Sequence, residues 1–176
     1  MPPRKVMFIR HGEKPPDAGG PPFGFDIDGK SDTHSLTPRG WSRAGALVAF
    51  FTEPHPPIEK PDYVFAAAPD TAHASRHGQR TSQTVAPLCA VLGMAADLSY
   101  HVRQETELAA AIEAQNGVVL VSWEHHAITG IVQSLLGDPA FATQWPDRFD
   151  LVWLFAANGA TYDFSTANQH LLFGDE

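Results

Sequence analysis

The chain has 176 residues, of which 43% are hydrophobic and 18% charged, values typical of one globular domain spanning residues 1–176. Its formal net charge of −8 argues against nucleic acid as the main partner, because surfaces that bind a phosphate backbone are basic. The charge does not exclude a small phosphorylated substrate, which a local basic pocket can bind. Cys89 is the only cysteine, which excludes an intrachain disulfide and fits a reducing compartment.

The N-terminal region carries no recognisable targeting signal. Only four strongly apolar residues, Val6–Ile9, precede Arg10, whereas the apolar region of a secretory signal needs roughly 7–15. No uncharged apolar run approaches the ~20 residues of a membrane span. We therefore expect a cytoplasmic protein without a membrane partner, and the sequence leaves the oligomeric state open.

Strand-forming runs alternate with helical patterns along the chain. The runs predict strands at Val6–Ile9, Tyr63–Ala68, Leu98–Val102, Val118–Trp123, Leu151–Ala156 and Thr161–Phe164, with a short one at Leu171–Phe173. Helical stripes fall between them, centred on Trp41–Phe51, Val85–Leu92, Leu108–Ile112 and Ile128–Leu136. This order predicts a three-layer α/β fold, with a mainly parallel sheet and helices on both faces. Asn158-Gly159 favours a hairpin, so the last strands are expected to be antiparallel.

A long polar segment, residues 14–35, contains a misleading motif. Gly24–Ser31 matches the phosphate-binding pattern GxxxxGK[ST], but no strand precedes it and no helix follows. Asp26 and Asp28 would also repel a phosphate. We therefore interpret the segment as a loop over the rim of a pocket rather than as a nucleotide site.

The chemistry is concentrated at the predicted strand ends. Arg10 and His11 follow the first strand directly, at the edge of an α/β sheet where ligands bind. A guanidinium can hold an oxyanion while a neutral imidazole attacks it. Arg80 opens the second helix, and Glu124-His125-His126 follows another buried strand. Parallel strands bring these groups to one edge, so we expect Arg10, His11, Arg80 and His125 to converge.

The spacing of these elements resembles that of the histidine phosphatase superfamily, over nearly the whole chain. The matching elements are Arg10-His11-Gly12-Glu13, Leu36-Thr37-Pro38-Arg39-Gly40 with Ala44, Arg80-x-x-Gln83-Thr84, and Val121–His125. The resemblance implies a phosphoglycerate mutase-like fold and a phosphatase. It also implies that His11 forms a phosphohistidine while Arg10, Arg80 and His125 surround the phosphate oxygens, with Gly12 and Glu13 beside the substrate. The cations are side chains, so no cofactor or metal is expected.

Three assignments have competitors. His126 is the alternative to His125, and an ungapped count back from Ile128 would instead place Glu124 in the position of the family's second histidine. Arg76 competes with Arg80, which keeps the Gln-Thr spacing. Glu105, expected to follow a strand at the same edge, is the first choice of general acid, and Glu13 and Glu124 are the alternatives.

The sequence supports a phosphatase acting on a small phosphomonoester or a phosphoprotein. A phosphomutase on the same scaffold is less favoured, because the chain is short and the candidate lid is acidic and rich in glycine and proline. The unusual residues after Trp123 leave a further alternative, a non-catalytic phosphate-binding module. Metal binding at Glu124-His125-His126 is not expected, because adjacent residues on a helix point in different directions.

Overall fold

The computed structural model describes residues 2–53, 55–69 and 79–176, within which five strands and four helices are found. The strands are β1 (Lys5–Arg10), β2 (Tyr63–Ala66), β3 (Val118–Trp123), β4 (Leu151–Asn158) and β5 (Thr161–Asn168). The helices are α1 (Pro38–Thr52), α2 (Gln79–Leu92), α3 (Glu105–Glu113) and α4 (His125–Leu136). None of these helices is both long and apolar enough to cross a membrane.

The strands form one sheet in the order β2-β3-β1-β4-β5. β2, β3 and β1 are mutually parallel, as the β-α-β alternation predicts. β4 runs antiparallel to β1, and β5 returns beside it through the predicted hairpin, where Gly159 has a φ of 65°. The sheet is therefore mixed rather than mainly parallel, because half of its strand pairings are antiparallel.

Helices cover both faces of the sheet, which confirms the three-layer α/β architecture. α1 and α2 pack together on one face, over a core that includes Met7, Ile9, Leu47, Leu88 and Leu120. α3 and α4 pack together on the other face, over a core that includes Phe8, Leu108, Val119, Ile128 and Trp153. β3 is buried along its whole length, as expected for a central strand with helices on both sides.

Two expected strands are absent. Residues 98–102 form no strand, although Asp97 bridges to Phe65 and the amide of Ala68 donates to the carbonyl of Tyr100. Leu98 is exposed, and Tyr100 and Val102 pack against the core only partly buried, so the segment lacks the burial of a central strand. Residues 171–173 also form no strand, because the carboxylate of Asp175 accepts hydrogen bonds from the amides of Leu171 and Leu172.

The start of α1 is fixed against the segment that follows β1. Thr37 caps the helix through a hydrogen bond from the amide of Gly40, and Pro38 is its first residue, as the sequence predicts. The amide of Thr37 also donates to the carbonyl of Glu13 at 2.9 Å. These contacts hold the chain leaving β1 close to the first turn of α1.

Candidate active site

The position of His11 is fixed by the backbone around it. His11 is 1% exposed, and its amide donates to the carbonyl of Trp123 at the end of β3. Its Nδ1 lies 2.7 Å from the carbonyl oxygen of Gly12. Because a carbonyl oxygen can only accept, Nδ1 carries a proton and donates it. The other ring nitrogen, Nε2, is therefore the atom available for chemistry.

Glu124 faces that nitrogen. Its Oε2 lies 3.2 Å from His11 Nε2, and the residue is 5% exposed. Burial alone would raise the pKa of Glu124. The hydrogen bond to His11 and the positive charges of His11, Arg80 and His126 outweigh burial and hold that pKa well below its ordinary value. Glu124 is therefore an ionised carboxylate within hydrogen-bond distance of His11 Nε2.

Arg10 lies beside His11, and its guanidinium already forms an ion pair. The side chain is 3% exposed, and its Nη1 donates to Oδ1 of Asp147 at 2.9 Å. Its guanidinium stacks 3.9 Å above the ring of Phe149, an aromatic contact that favours a cation. The side chain of Asp147 is 93% exposed, so an incoming anion could displace it from Arg10 without breaking buried packing.

Arg80 approaches from the first turn of α2. Its Nη2 donates to the carbonyl of Thr33, and its charge contributes to the low pKa of Glu124. Burial lowers the pKa of Arg80 itself, although a guanidinium stays charged at all ordinary pH values. Arg76, the alternative arginine, falls outside the described residues.

Gln83 and Thr84 hold the surrounding segments together. Thr84 Oγ1 accepts from the amide of Gly12 at 2.8 Å. Gln83 Oε1 accepts from the amide of Leu36, and its Nε2 donates to Ser35 Oγ. In the sequence, Gln83 and Thr84 are informative only through their spacing from Arg80. The structure gives them a positioning role between α2, the chain after β1 and the entry to α1.

His125 is the first residue of α4 and lines a cleft of about 450 Å³ together with Arg10, Lys14, Pro15, Pro16, Asp17, Asp147 and Phe149. Burial and the positive charges of Arg10, His126 and His11 lower the pKa of His125 to about 4. The ring is therefore neutral near pH 7. His126 is exposed, and its ring centroid lies 5.2 Å from that of His125.

The other two carboxylates considered as general acids have different surroundings. Glu13 pairs with Arg39 and with Arg43, whose guanidinium is buried and also pairs with Asp175 at 2.7 Å. Glu105 begins α3, where it accepts from the amide of Arg103 and lies beside Gly130 of α4. The strand expected to carry Glu105 to the sheet edge is absent. Among the three candidates, Glu124 is the one that contacts His11 within the described residues.

The GxxxxGK[ST] match is a closed turn, in agreement with the sequence interpretation. Asp26 Oδ1 accepts from the amides of Asp28 and Lys30, and Phe25 bridges to Ser31. A carboxylate thus occupies the inside of the turn, where a phosphate-binding loop would need free amides.

Glu124, His125 and His126 are closer together than expected. Each offers one donor atom, and the three atoms lie within 4.8 Å of one another. The expectation that their side chains diverge assumes that all three residues are helical. Glu124 instead precedes α4 with an extended backbone, at φ −75° and ψ 126°, so the divergence of adjacent helical side chains does not apply to it.

Comparisons with known proteins were made by sequence and by structure. No protein-family model matches the sequence, and no curated protein matches it significantly. Solved structures do match the fold. An α-ribazole phosphatase from Shigella flexneri aligns with a TM-score of 0.58 and 13% identity, covering 98% of this chain and 100% of that one.

Two further structures align at similar levels. The protein histidine phosphatase SixA, complexed with tungstate, gives a TM-score of 0.53 at 14% identity, covering 94% of this chain and 97% of its own. A phosphoserine phosphatase mutant from Entamoeba histolytica, in complex with phosphoserine, gives 0.53 at 13% identity, covering 96% and 99%. The chain therefore shares the α/β fold of these phosphatases, which is the fold that the resemblance of its motifs implies.

Proposed function

We propose that the protein is a phosphatase that hydrolyses a phosphomonoester, or a phosphohistidine, through a covalent phosphohistidine on His11. The observation that carries the proposal is the state of the His11 ring. Nδ1 is held by the carbonyl of Gly12, so Nε2 is presented beside the buried carboxylate of Glu124, and the neighbouring Arg10 lines a cleft together with His125. The structural neighbours act on phosphate esters and phosphohistidine, so both substrate kinds stay within the proposal.

Three groups would hold the phosphate oxygens. Arg10 and Arg80 supply fixed positive charge, and the neutral His125 supplies a ring N–H. The phosphate would take the place of Asp147 on Arg10. The cations are side chains, so the reaction as proposed requires no metal ion.

The general acid in this scheme is Glu124. It accepts the proton from His11 Nε2, and the freed lone pair then attacks phosphorus. The bond from phosphorus to the leaving oxygen breaks, and Glu124 donates the same proton to that oxygen. In the second half, the Glu124 carboxylate takes a proton from water, the resulting hydroxide attacks phosphorus, and the bond to His11 breaks. Phosphate leaves, and the proton returns to its place between Glu124 and His11.

The test is turnover of p-nitrophenyl phosphate in the presence of EDTA. The wild-type protein is expected to hydrolyse it, and vanadate is expected to inhibit. His11→Ala should lower kcat by about a thousandfold or more, because it removes the nucleophile. His101→Ala, which removes an exposed histidine outside the candidate site, is the matched control and should stay active. Turnover near wild type in His11→Ala would refute the mechanism.

A phosphate-binding module without catalysis is the second candidate. This candidate is favoured because Arg10 and His11 are both paired already, Arg10 with Asp147 and His11 with Glu124. Saturable binding of phosphate or vanadate, with no turnover of any phosphoester, would identify the chain as such a module.

A further inference from the structure

Two buried polar atoms at the start of α4 lack a hydrogen-bond partner among the described residues. They are Glu124 Oε1 and His125 Nδ1. An unsatisfied buried polar atom costs free energy, and such atoms in a native protein often mark a site for a ligand or ion. Glu124 Oε1 meets this description most clearly, because Glu124 is 5% exposed and only its other oxygen, Oε2, contacts His11.

The residues that carry these atoms belong to a set of three potential metal ligands. Glu124, His125 and His126 place their donor atoms within 4.8 Å of one another, and no other group of this kind is found in the described part of the chain. One carboxylate and two imidazoles, with a further position open to water, form a donor set typical of Zn²⁺. Mg²⁺ and Ca²⁺ prefer oxygen ligands throughout, so this set disfavours them.

Charge and access at the site determine whether a cation can bind there. Arg10 and Arg80 oppose a cation here, but Asp147 partly offsets the charge of Arg10. His126 is exposed, so a metal can enter from solvent without opening the core.

We infer that Glu124, His125 and His126 form an inhibitory site for a borderline transition-metal ion such as Zn²⁺. The inhibition, though not the binding, rests on the proposed phosphatase function. A bound ion would coordinate the Glu124 carboxylate, which in the proposed mechanism must move a proton between His11 and the leaving group. Turnover would therefore fall when the site is filled and return when a chelator removes the ion.

Binding is tested first, and without reference to activity. Calorimetric titration of the metal-free protein with ZnCl₂ should give one saturable site, and MgCl₂ should give none. His126→Ala should weaken Zn²⁺ binding by about tenfold or more, because it removes one ligand. The matched control, His101→Ala, should bind like wild type. No saturable Zn²⁺ binding by the wild-type protein, or equal binding by the two variants, would overturn the proposal.

Inhibition is tested second, with p-nitrophenyl phosphate. Zn²⁺ should inhibit the wild type and the His101→Ala variant at concentrations that match binding, and EDTA should restore turnover. Relative to its own turnover in EDTA, His126→Ala should require about tenfold more Zn²⁺ for the same fractional inhibition. Equal sensitivity of the two variants would refute an inhibitory site. If the wild type binds Zn²⁺ but never turns over substrate, the metal site stands and the phosphatase proposal fails.

Discussion

Glu124 is the residue whose environment departs most from the expectation for a phosphate site. A carboxylate repels a phosphate, and for that reason the sequence favours His125 rather than Glu124 in the position of the family's second histidine. In the structure, the carboxylate is paired with the imidazole rather than facing an empty pocket, at 3.2 Å from Nε2. In the proposed mechanism a proton shared by the two groups removes most of this repulsion. The ungapped count back from Ile128 was the available signal for this placement.

The acid role of Glu124 predicts a dependence on the leaving group. Glu124→Gln cannot donate a proton, so kcat for an alkyl phosphate should fall by about 10²–10⁴-fold. With p-nitrophenyl phosphate, whose leaving group departs without protonation, the loss should be less than about tenfold. Steady-state kinetics of both substrates checks this. Equal losses on the two substrates would assign Glu124 a structural role instead.

At the scale of elements, the first turn of α1 determines where the chain after β1 can lie. A Cβ added to Gly40 would lie 2.5 Å from the carbonyl oxygen of Glu13 and 2.9 Å from its amide nitrogen. A Cβ on Gly12 would lie 3.0 Å from the carbonyl oxygen of Gly40. The backbones thus meet directly, and the absence of side chains at both positions lets α1 approach the segment that carries His11.

This contact predicts opposite effects for two glycines of the same helix. Gly40→Ala must push α1 away from Glu13, so it should destabilise the protein by about 1–3 kcal/mol and also lower turnover. Gly45→Ala meets nothing within 4 Å and should stabilise by up to about 1 kcal/mol through helix propensity, with turnover unchanged. Urea unfolding and p-nitrophenyl phosphate kinetics measure both. A stabilising Gly40→Ala would show that the close approach has no energetic importance.

At the scale of the whole molecule, the sequence predicted what depends on periodicity and missed what depends on distant partners. Val118–Trp123 is a strand over the predicted range, since a fully buried strand gives a continuous apolar run. Residues 98–102 alternate apolar and polar side chains, a pattern typical of a half-buried strand, but they form no strand in the structure. The pairing of Arg43 with Asp175 joins residues 132 positions apart, and no local sequence pattern predicts it.

The predicted site divides in the same way. Motifs nominate His11, Arg10 and Arg80, because each stands at a fixed offset from a strand end or a helix start. The proximity of Glu124 to His11, on which its proposed acid role rests, could not be predicted from the sequence. It depends on the backbone of Glu124, which stays extended for one residue after β3 before α4 begins.

The most direct test of the central claim is to trap and locate the covalent intermediate. The protein is mixed with phosphoester substrate, quenched in alkali within milliseconds, digested, and analysed by mass spectrometry under conditions that preserve phosphohistidine. We expect one phosphoryl group, labile to acid, on the peptide that contains His11 and on its Nε2 atom. Rapid turnover with no phosphoryl group on His11, or with the group on another residue, would contradict the account.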